Sequence, residues 1–291
     1  MKIKLLVTGS TGQLGSEFCR QLKDGFNIIG ITRNDADISD LARITKVINQ
    51  HEPDCVIHTA AFTDVDACEI DSSKGMEINA AGAGNVALAA QKCGAEIVYF
   101  STDYVFDGAK NSAYVESDAP NPISEYGRSK RAGELATMKF NKNWTIIRCG
   151  WIYGDHGKNF VKSILTSAKK CKSPLRVVSD QIGSPTWTKD VVEQTARIIE
   201  AKQRGLFHVA PRGEVSRFEF AKLILEKLMP GVKVEPCTAI EYPRPARRPA
   251  RSSLTSEKLG KLGIDVIRPQ AEALEEFLNE YGEQLLNEIS N

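Results

Sequence analysis

Tyr126 stands four residues before Lys130 in the stretch ISEYGRSKRAGE, residues 123 to 134. On a helix, positions i and i+4 share one face, so this spacing points a phenol and an ammonium into the same space. A phenol is a proton donor of ordinary pKa about 10, too weak an acid for efficient exchange near neutral pH. A nearby ammonium favours its phenolate, so Lys130 is expected to tune Tyr126. Such a pair suits the reduction of a ketone, in which hydride goes to carbon while an acid within hydrogen-bond reach protonates the oxygen. Exposed helices also carry Tyr and Lys at this spacing, so the elements around the pair must decide its meaning.

Those elements alternate short β-branched runs with helix-period segments, the pattern of a parallel sheet covered by helices. IKLLVTG (3–9), FNIIGIT (26–32), CVIHTAA (55–61), EIVYFST (96–102) and WTIIRCG (144–150) read as buried strands. Between them, Leu14, Phe18 and Leu22 recur at helical spacing, as do Leu41, Ile44, Val47 and Ile48, with Ser39 or Asp40 as the N-cap. An Ala-rich helix is expected to end at Gly94. The expected fold is α/β, a Rossmann-type doubly wound parallel sheet followed by a smaller C-terminal α/β substrate domain.

After the first strand comes TGSTGQLG, with Gly9, Gly12 and Gly15 in G-x-x-G-x-x-G spacing. A strand that turns tightly into a helix, leaves backbone room for a pyrophosphate and packs that helix closely requires glycine for each purpose. Dinucleotide binding follows as an expectation. Beyond the second strand, Asp35 or Asp37 could hold a ribose 2′-hydroxyl and favour NAD, whereas Arg33 could pair a 2′-phosphate and favour NADP. NADPH is the first expectation and NADH the alternative.

STDYVFDG (101–108), the Tyr126–Lys130 pair and the N-terminal glycines together resemble an extended short-chain dehydrogenase/reductase. The resemblance makes Thr102, Tyr126 and Lys130 the catalytic group, with Thr102 donating a hydrogen bond to the carbonyl oxygen and Lys130 also holding the nicotinamide ribose. AAFTDVDACE (60–69), NPISEYGRSKRAGE (121–134), DQIGSPT (180–186) and YPRPARRP (242–249) narrow it to the TDP-4-dehydrorhamnose reductase family, over nearly the whole chain. In that family NADPH or NADH reduces the 4-keto group of a nucleotide-linked 6-deoxyhexose, giving TDP-L-rhamnose, a cell-envelope sugar donor.

By this resemblance Gly9, Gly12, Gln13, Leu14 and Gly15 cradle the pyrophosphate, and Asp37 and Ile38 flank the adenine. Ala60, Ala61 and Thr63 line the cofactor crevice. Val65, Thr102, Asp103 and Trp151 face the sugar, and Gln181, Pro185 and Arg248 belong to segments that close over the nucleotide-sugar. Two positions depart from the pattern: Arg217 stands where an aromatic is expected, and Ser253 where an arginine commonly precedes Leu254. Rival readings are a nucleotide-sugar dehydratase or epimerase of the same fold, and a noncatalytic NADP-binding regulatory subunit. A dehydratase would want an Asp-Glu pair after the threonine, and Tyr104 follows Asp103 instead.

Composition bounds the partners. With 38 Lys plus Arg against 37 Asp plus Glu among 291 residues, the net charge is +1, which gives no field for nucleic acid and no polybasic run for a membrane. The N-terminal apolar run is too short for a signal sequence and no stretch approaches the roughly 18 to 20 apolar residues of a spanning helix, so a cytoplasmic setting is expected. The seven cysteines are scattered without C-x-x-C spacing, and no protein metal site is expected; magnesium at a dimer interface, found in some family members, is left open, as is a homodimer. The Rossmann domain is expected to take residues 1–150 plus about 183–213, and the nucleotide-sugar domain about 151–182 plus 214–291.

Overall fold

In the computed structural model, residues 2–171 and 174–290 are described. Six parallel strands form the central sheet: β1 (Lys4–Thr8), β2 (Asn27–Ile31), β3 (Cys55–His58), β4 (Glu96–Thr102), β5 (Trp144–Cys149) and β6 (Gly205–His208). Their spatial order is β6-β5-β4-β3-β1-β2. The order reverses at β1, which pairs with β2 on one side and β3 on the other. In an open α/β sheet such a reversal leaves a crevice beyond the carboxyl ends of the strands, where ligands bind.

The strands are apolar throughout because both faces are covered. Leu5 and Val7 point to α1 (Gln13–Gln21), whose Leu14 and Phe18 share a core with Val191 and Ile198. Leu6 points the other way, to α2 (Leu41–His51) and α3 (Ala83–Cys93) through Ile44, Ile48, Val86 and Ala90. Of the two candidate caps for α2, Asp40 serves: its carboxylate accepts from the Arg43 N–H at 3.0 Å. The Ala-rich helix starts later than its composition suggests, because Met76–Gly82 winds as a wider π-helical segment. That segment presents Asn79, whose amide pairs with both backbone groups of Phe62, accepting at 2.7 Å and donating at 2.9 Å. A stretch of coil beyond β3 is thereby fixed against the helices.

The other long helices are α4 (Glu125–Phe140), α5 (Phe160–Lys170), α6 (Thr188–Glu200), α7 (Arg217–Leu228) and α8 (Gln270–Ser290), with short helical turns at Val65–Ile70, Ser72–Gly75 and Lys258–Leu262. Tyr153, Leu165, Trp187, Phe220 and Phe277 form a second core among α5, α7 and α8. Two-residue strands stitch its segments: Ile152–Tyr153 runs parallel to Thr186–Trp187, and Ile182–Gly183 antiparallel to Val215–Ser216. The proline-rich stretch 241–253 makes no extended strand, in keeping with its three prolines. No helix among the described residues is long and apolar enough to cross a membrane.

Helix α4, which carries Tyr126 and Lys130, is locked to the sheet by a buried ion pair. Arg148 on β5 donates from Nε and Nη2 to the two carboxylate oxygens of Glu134, each at 2.8 Å, with both side chains almost wholly enclosed. Removing one partner of such a pair strands a charge in the interior and costs about 3–5 kcal/mol. Glu134→Ala is therefore expected to lose about that much stability in urea unfolding, and the double change Glu134→Ala with Arg148→Met to recover part of it.

Candidate active site

The carboxyl ends of the strands open into a cavity of about 820 Å³, within the size range of small-molecule and cofactor sites. One end is the turn between β1 and α1. Gly9 has φ +66°, a left-handed conformation open to glycine. A Cβ on Gly15 would lie 2.2 Å from the Gly9 carbonyl oxygen, so strand and helix meet with no room for a side chain. Gln13 lines the same end, and its buried Nε2 has no hydrogen-bond partner among the described residues. A tight backbone cradle at a helix N-terminus with an unspent amide donor fits a pyrophosphate.

Beyond β2 the charged residues face different ways. Asp35 turns back on its own loop, accepting from the Thr32 N–H and hydroxyl, both at 2.8 Å. Asp37 accepts from the Ser39 hydroxyl at 2.8 Å and from Arg33 Nε at 2.9 Å. Arg33, Asp37 and Ile38 line the cavity and Asp35 does not.

The sheet's middle brings Thr102, Tyr126 and Lys130 to one wall. Thr102 ends β4, and Tyr126 sits in the first turn of α4, whose N-cap Ser124 accepts from the Gly127 N–H. The Tyr126 ring meets Tyr104 edge-on, with centroids 5.9 Å apart. Burial first, then the charge of Asp103, push the phenol above its ordinary value, which keeps its proton in place. Lys130 is buried, donates to the Phe100 carbonyl oxygen at 2.6 Å, and stands 4.3 Å from the centre of the Tyr99 ring. Burial brings its ammonium down to about 8. In this structure burial and Asp103 set the direction for the Tyr126 phenol, and the Lys130 ammonium is anchored to a sheet carbonyl. His58, behind this wall, is a core residue bonded through Nδ1 to the Thr8 hydroxyl at 2.8 Å.

The far end is the second half of the chain. Trp151 lies just past β5 at φ +48°, a strained setting for a non-glycine residue that turns its indole along the cavity. The Arg217 guanidinium stacks on that indole at 3.8 Å. Asp103 is enclosed beside Thr102, and burial pushes its carboxyl up to about 6 against hydrogen bonds from Ser252 and Thr102.

Of the residues singled out in the sequence, Gly9, Gly12, Gln13, Leu14, Gly15, Arg33, Asp37, Ile38, Ala60, Ala61, Thr63, Val65, Thr102, Asp103, Tyr126, Lys130 and Trp151 all line this cavity. Gln181, Pro185 and Arg248 do not. Gln181 is buried, and its carbonyl oxygen accepts the Arg217 N–H at 3.1 Å. Pro185 is buried behind the wall. Arg248 donates to Asp66 at 3.0 Å and to the Ala246 carbonyl at 2.9 Å, so its charge is spent within the protein. Lys74, Lys158 and Arg217 line the cavity without having been assigned a role from sequence. Arg217 alone had a signal, its departure from an aromatic; the two lysines sit in stretches whose composition is that of any solvated loop or turn. Among the described residues no group of three His, Cys, Asp or Glu side chains is placed to hold a metal ion.

Residues 2–283 match the RmlD substrate binding domain family. The chain belongs to that family. The spore coat polysaccharide biosynthesis protein SpsK of Bacillus subtilis is 42% identical over 280 residues, spanning 95% of this chain and 97% of its own. A crystal structure of a dTDP-4-dehydrorhamnose reductase from Clostridium acetobutylicum superposes with a TM-score of 0.93 at 40% identity, covering 96% of this chain and all of that one. The dTDP-4-dehydrorhamnose reductase of Bacillus anthracis, solved in complex with NADP, gives a TM-score of 0.91 at 36% identity over 96% of this chain and all of its own. The family expected from the sequence motifs is the one found.

The cradle sets a test of its own. Gly15→Ala forces its new methyl into the Gly9 carbonyl, and titration of reduced nicotinamide dinucleotide fluorescence is expected to show affinity lower by about tenfold or more, a difference of about 1.4 kcal/mol.

Proposed function

We propose that the protein is an NAD(P)H-dependent oxidoreductase that reduces the 4-keto group of dTDP-4-dehydro-L-rhamnose to give dTDP-L-rhamnose, the work of a dTDP-4-dehydrorhamnose reductase. The observation that carries the reading is the convergence of Thr102, Tyr126 and Lys130 on one cavity whose other end is a glycine cradle. Relatives of the same name align over nearly the full chain, and one of them binds NADP. NADPH is the preferred cofactor in this reading, with Arg33 offered to the 2′-phosphate. A bound reduced nicotinamide supplies the hydride for the ketone carbon.

The chain's own residues supply the rest. Tyr126, protonated in its enclosed setting, gives its proton to the ketone oxygen as negative charge develops there. Thr102 helps to hold that oxygen. Lys130, pinned by the Phe100 carbonyl, keeps a donor at the nicotinamide ribose. The Gly9–Gly15 turn holds the pyrophosphate, Ala60, Ala61 and Thr63 the crevice wall, and Val65 and Trp151 the sugar. We assign residues 1–150 and about 183–213 to the dinucleotide half and the remainder to the sugar half, and place the reaction in the cytoplasm.

Arg217 enters the reading through its charge. Among the described residues it has no carboxylate within ion-pair distance, although it lines the cavity beside Asp103 and Tyr104. The diphosphate is the permanently anionic group of a nucleotide-linked neutral sugar, and a guanidinium stacked on an indole offers it a fixed fork of donors. Arg217→Ala is expected to raise KM for the nucleotide-sugar about tenfold with kcat changed far less, measured in initial-rate assays.

The deciding assay follows loss of NADPH absorbance with substrate generated in place by the upstream dehydratase and epimerase. Oxidation that yields TDP-rhamnose, and that falls by at least about a hundredfold in Tyr126→Phe while NADPH still binds, is the expected result. NADPH binding without oxidation by the unaltered protein would reject the reading.

A further inference from the structure

Thr102 has one hydroxyl proton, and both Asp103 and the Tyr126 hydroxyl lie within its hydrogen-bonding reach. Its Oγ1 donates to Asp103 Oδ1 at 2.9 Å and accepts from the Tyr104 N–H at 3.2 Å. The other oxygen of Asp103 accepts from the Ser252 hydroxyl. All three side chains are buried: Thr102 is 6% exposed, Asp103 3% and Ser252 2%. Ser252 reaches this point from 149 residues away in sequence, brought by its N–H bond to the Ile182 carbonyl at 2.9 Å. Gly150 leaves the room, since a Cβ there would stand 2.6 Å from Asp103 Cγ. A hydroxyl that donates to a carboxylate has no proton left for a ketone oxygen.

We propose that Asp103 and Ser252 are positioning residues that decide which way Thr102 donates its proton. With Asp103 ionised, Thr102 donates to it and turns only lone pairs to the substrate. With Asp103 protonated, its carboxyl donates to Thr102 Oγ1, and the Thr102 proton is released toward the ketone. The competent form for reduction is thus the neutral acid. No covalent step is added: Thr102 and Asp103 keep their protons, and Tyr126 remains the group that gives one away. Ser252 opposes the neutral form by donating to the carboxylate and so sets the pH at which the switch occurs. The charged and titratable groups facing Asp103 are Arg217 from α7, which favours ionisation, with Tyr126 from α4, Cys149 at the end of β5 and Tyr104 beside it. Burial outweighs Arg217 and both hydroxyls, and the carboxyl stands at about 6. The inference rests on the reductase reading.

The experiment is a pH profile of kcat/KM for reduction, joined to thermal melting. The unaltered protein is expected to show a limb on which kcat/KM falls as pH rises through the Asp103 pKa. Ser252→Ala removes a donor that stabilises the carboxylate, so this limb moves to higher pH, by about one unit. In Asp103→Asn, which cannot ionise, the limb disappears. Melting gives a readout independent of turnover. Because the folded-state pKa is raised, the stability that Asp103 contributes is full below the ordinary carboxylate range and is lost as pH rises through about 6. The melting temperature of Asp103→Asn relative to the unaltered protein is therefore expected to climb from pH 5 to pH 8. A Ser252→Ala profile lowered evenly at every pH, or a limb retained in Asp103→Asn, overturns the proposal. A melting difference that stays flat with pH overturns it too. Absence of turnover by the unaltered protein at every pH would overturn the reductase reading instead.

Discussion

The Glu134–Arg148 pair is the constraint on which the site depends. A helix bearing Tyr126 and Lys130 must lie on the sheet with its polar face inward, because both groups have to reach the carboxyl ends of β4 and β5. Burying that face would leave polar groups without water, and an unpaired buried charge is costly. The structure meets the requirement residue by residue. Glu134 forks onto Arg148, Lys130 donates to Phe100, Asn79 donates to Ser129, and Ser129 donates to the Tyr126 carbonyl. The bidentate geometry fixes rotation of α4 as well as its distance, so Tyr126 faces the cavity by consequence of a contact two turns away.

Docking the helix this way creates a dry wall, and dryness determines the protonation states there. Desolvation disfavours charge of either sign. It raises the Tyr126 phenol and the Asp103 carboxyl and brings the Lys130 ammonium down. All three shifts point toward neutral groups. For a reduction, a phenol that retains its proton until charge appears on the substrate oxygen is the useful state.

Much of this was legible in the sequence because it follows from periodicity and spacing. Five strand assignments and the glycine turn depend on local patterns, and each observed strand lies within its expected run; EIVYFST (96–102) coincides with β4 end to end. The three side chains proposed for catalysis reach one cavity for a reason equally local, since Tyr126 and Lys130 are neighbours on one helix and Thr102 ends a strand. What failed to appear depended on contacts between distant segments. Nothing local marks Arg248 as the partner of Asp66, 182 residues away, so its charge looked available for a phosphate. Nothing local marks Ser252 either, for a serine in a proline-rich stretch reads as solvated coil. The π-helical segment at Met76–Gly82, and the bonds Asn79 makes from it to the Phe62 backbone, were likewise hidden, because its composition is that of an ordinary Ala-rich helix.

Those distant contacts have a common origin in the stretch from Ala246 to Ser252. At its start Arg248 and the Ala246 N–H grip Asp66 on the Val65–Ile70 helix, beside Val65 on the cavity lip. At its end Ser252 grips Asp103. Between them, Pro249 packs so near Gly108 that a Cβ on that glycine would fall 2.6 Å from the proline ring. Proline suits such a strap because it surrenders little backbone freedom on ordering. One short, stiff segment from the second half of the chain therefore holds two walls of the cavity in the first half. The second half of the chain is thereby tied to the first at two points, the Asp66 carboxylate beside Val65 and the Asp103 carboxylate beside Thr102.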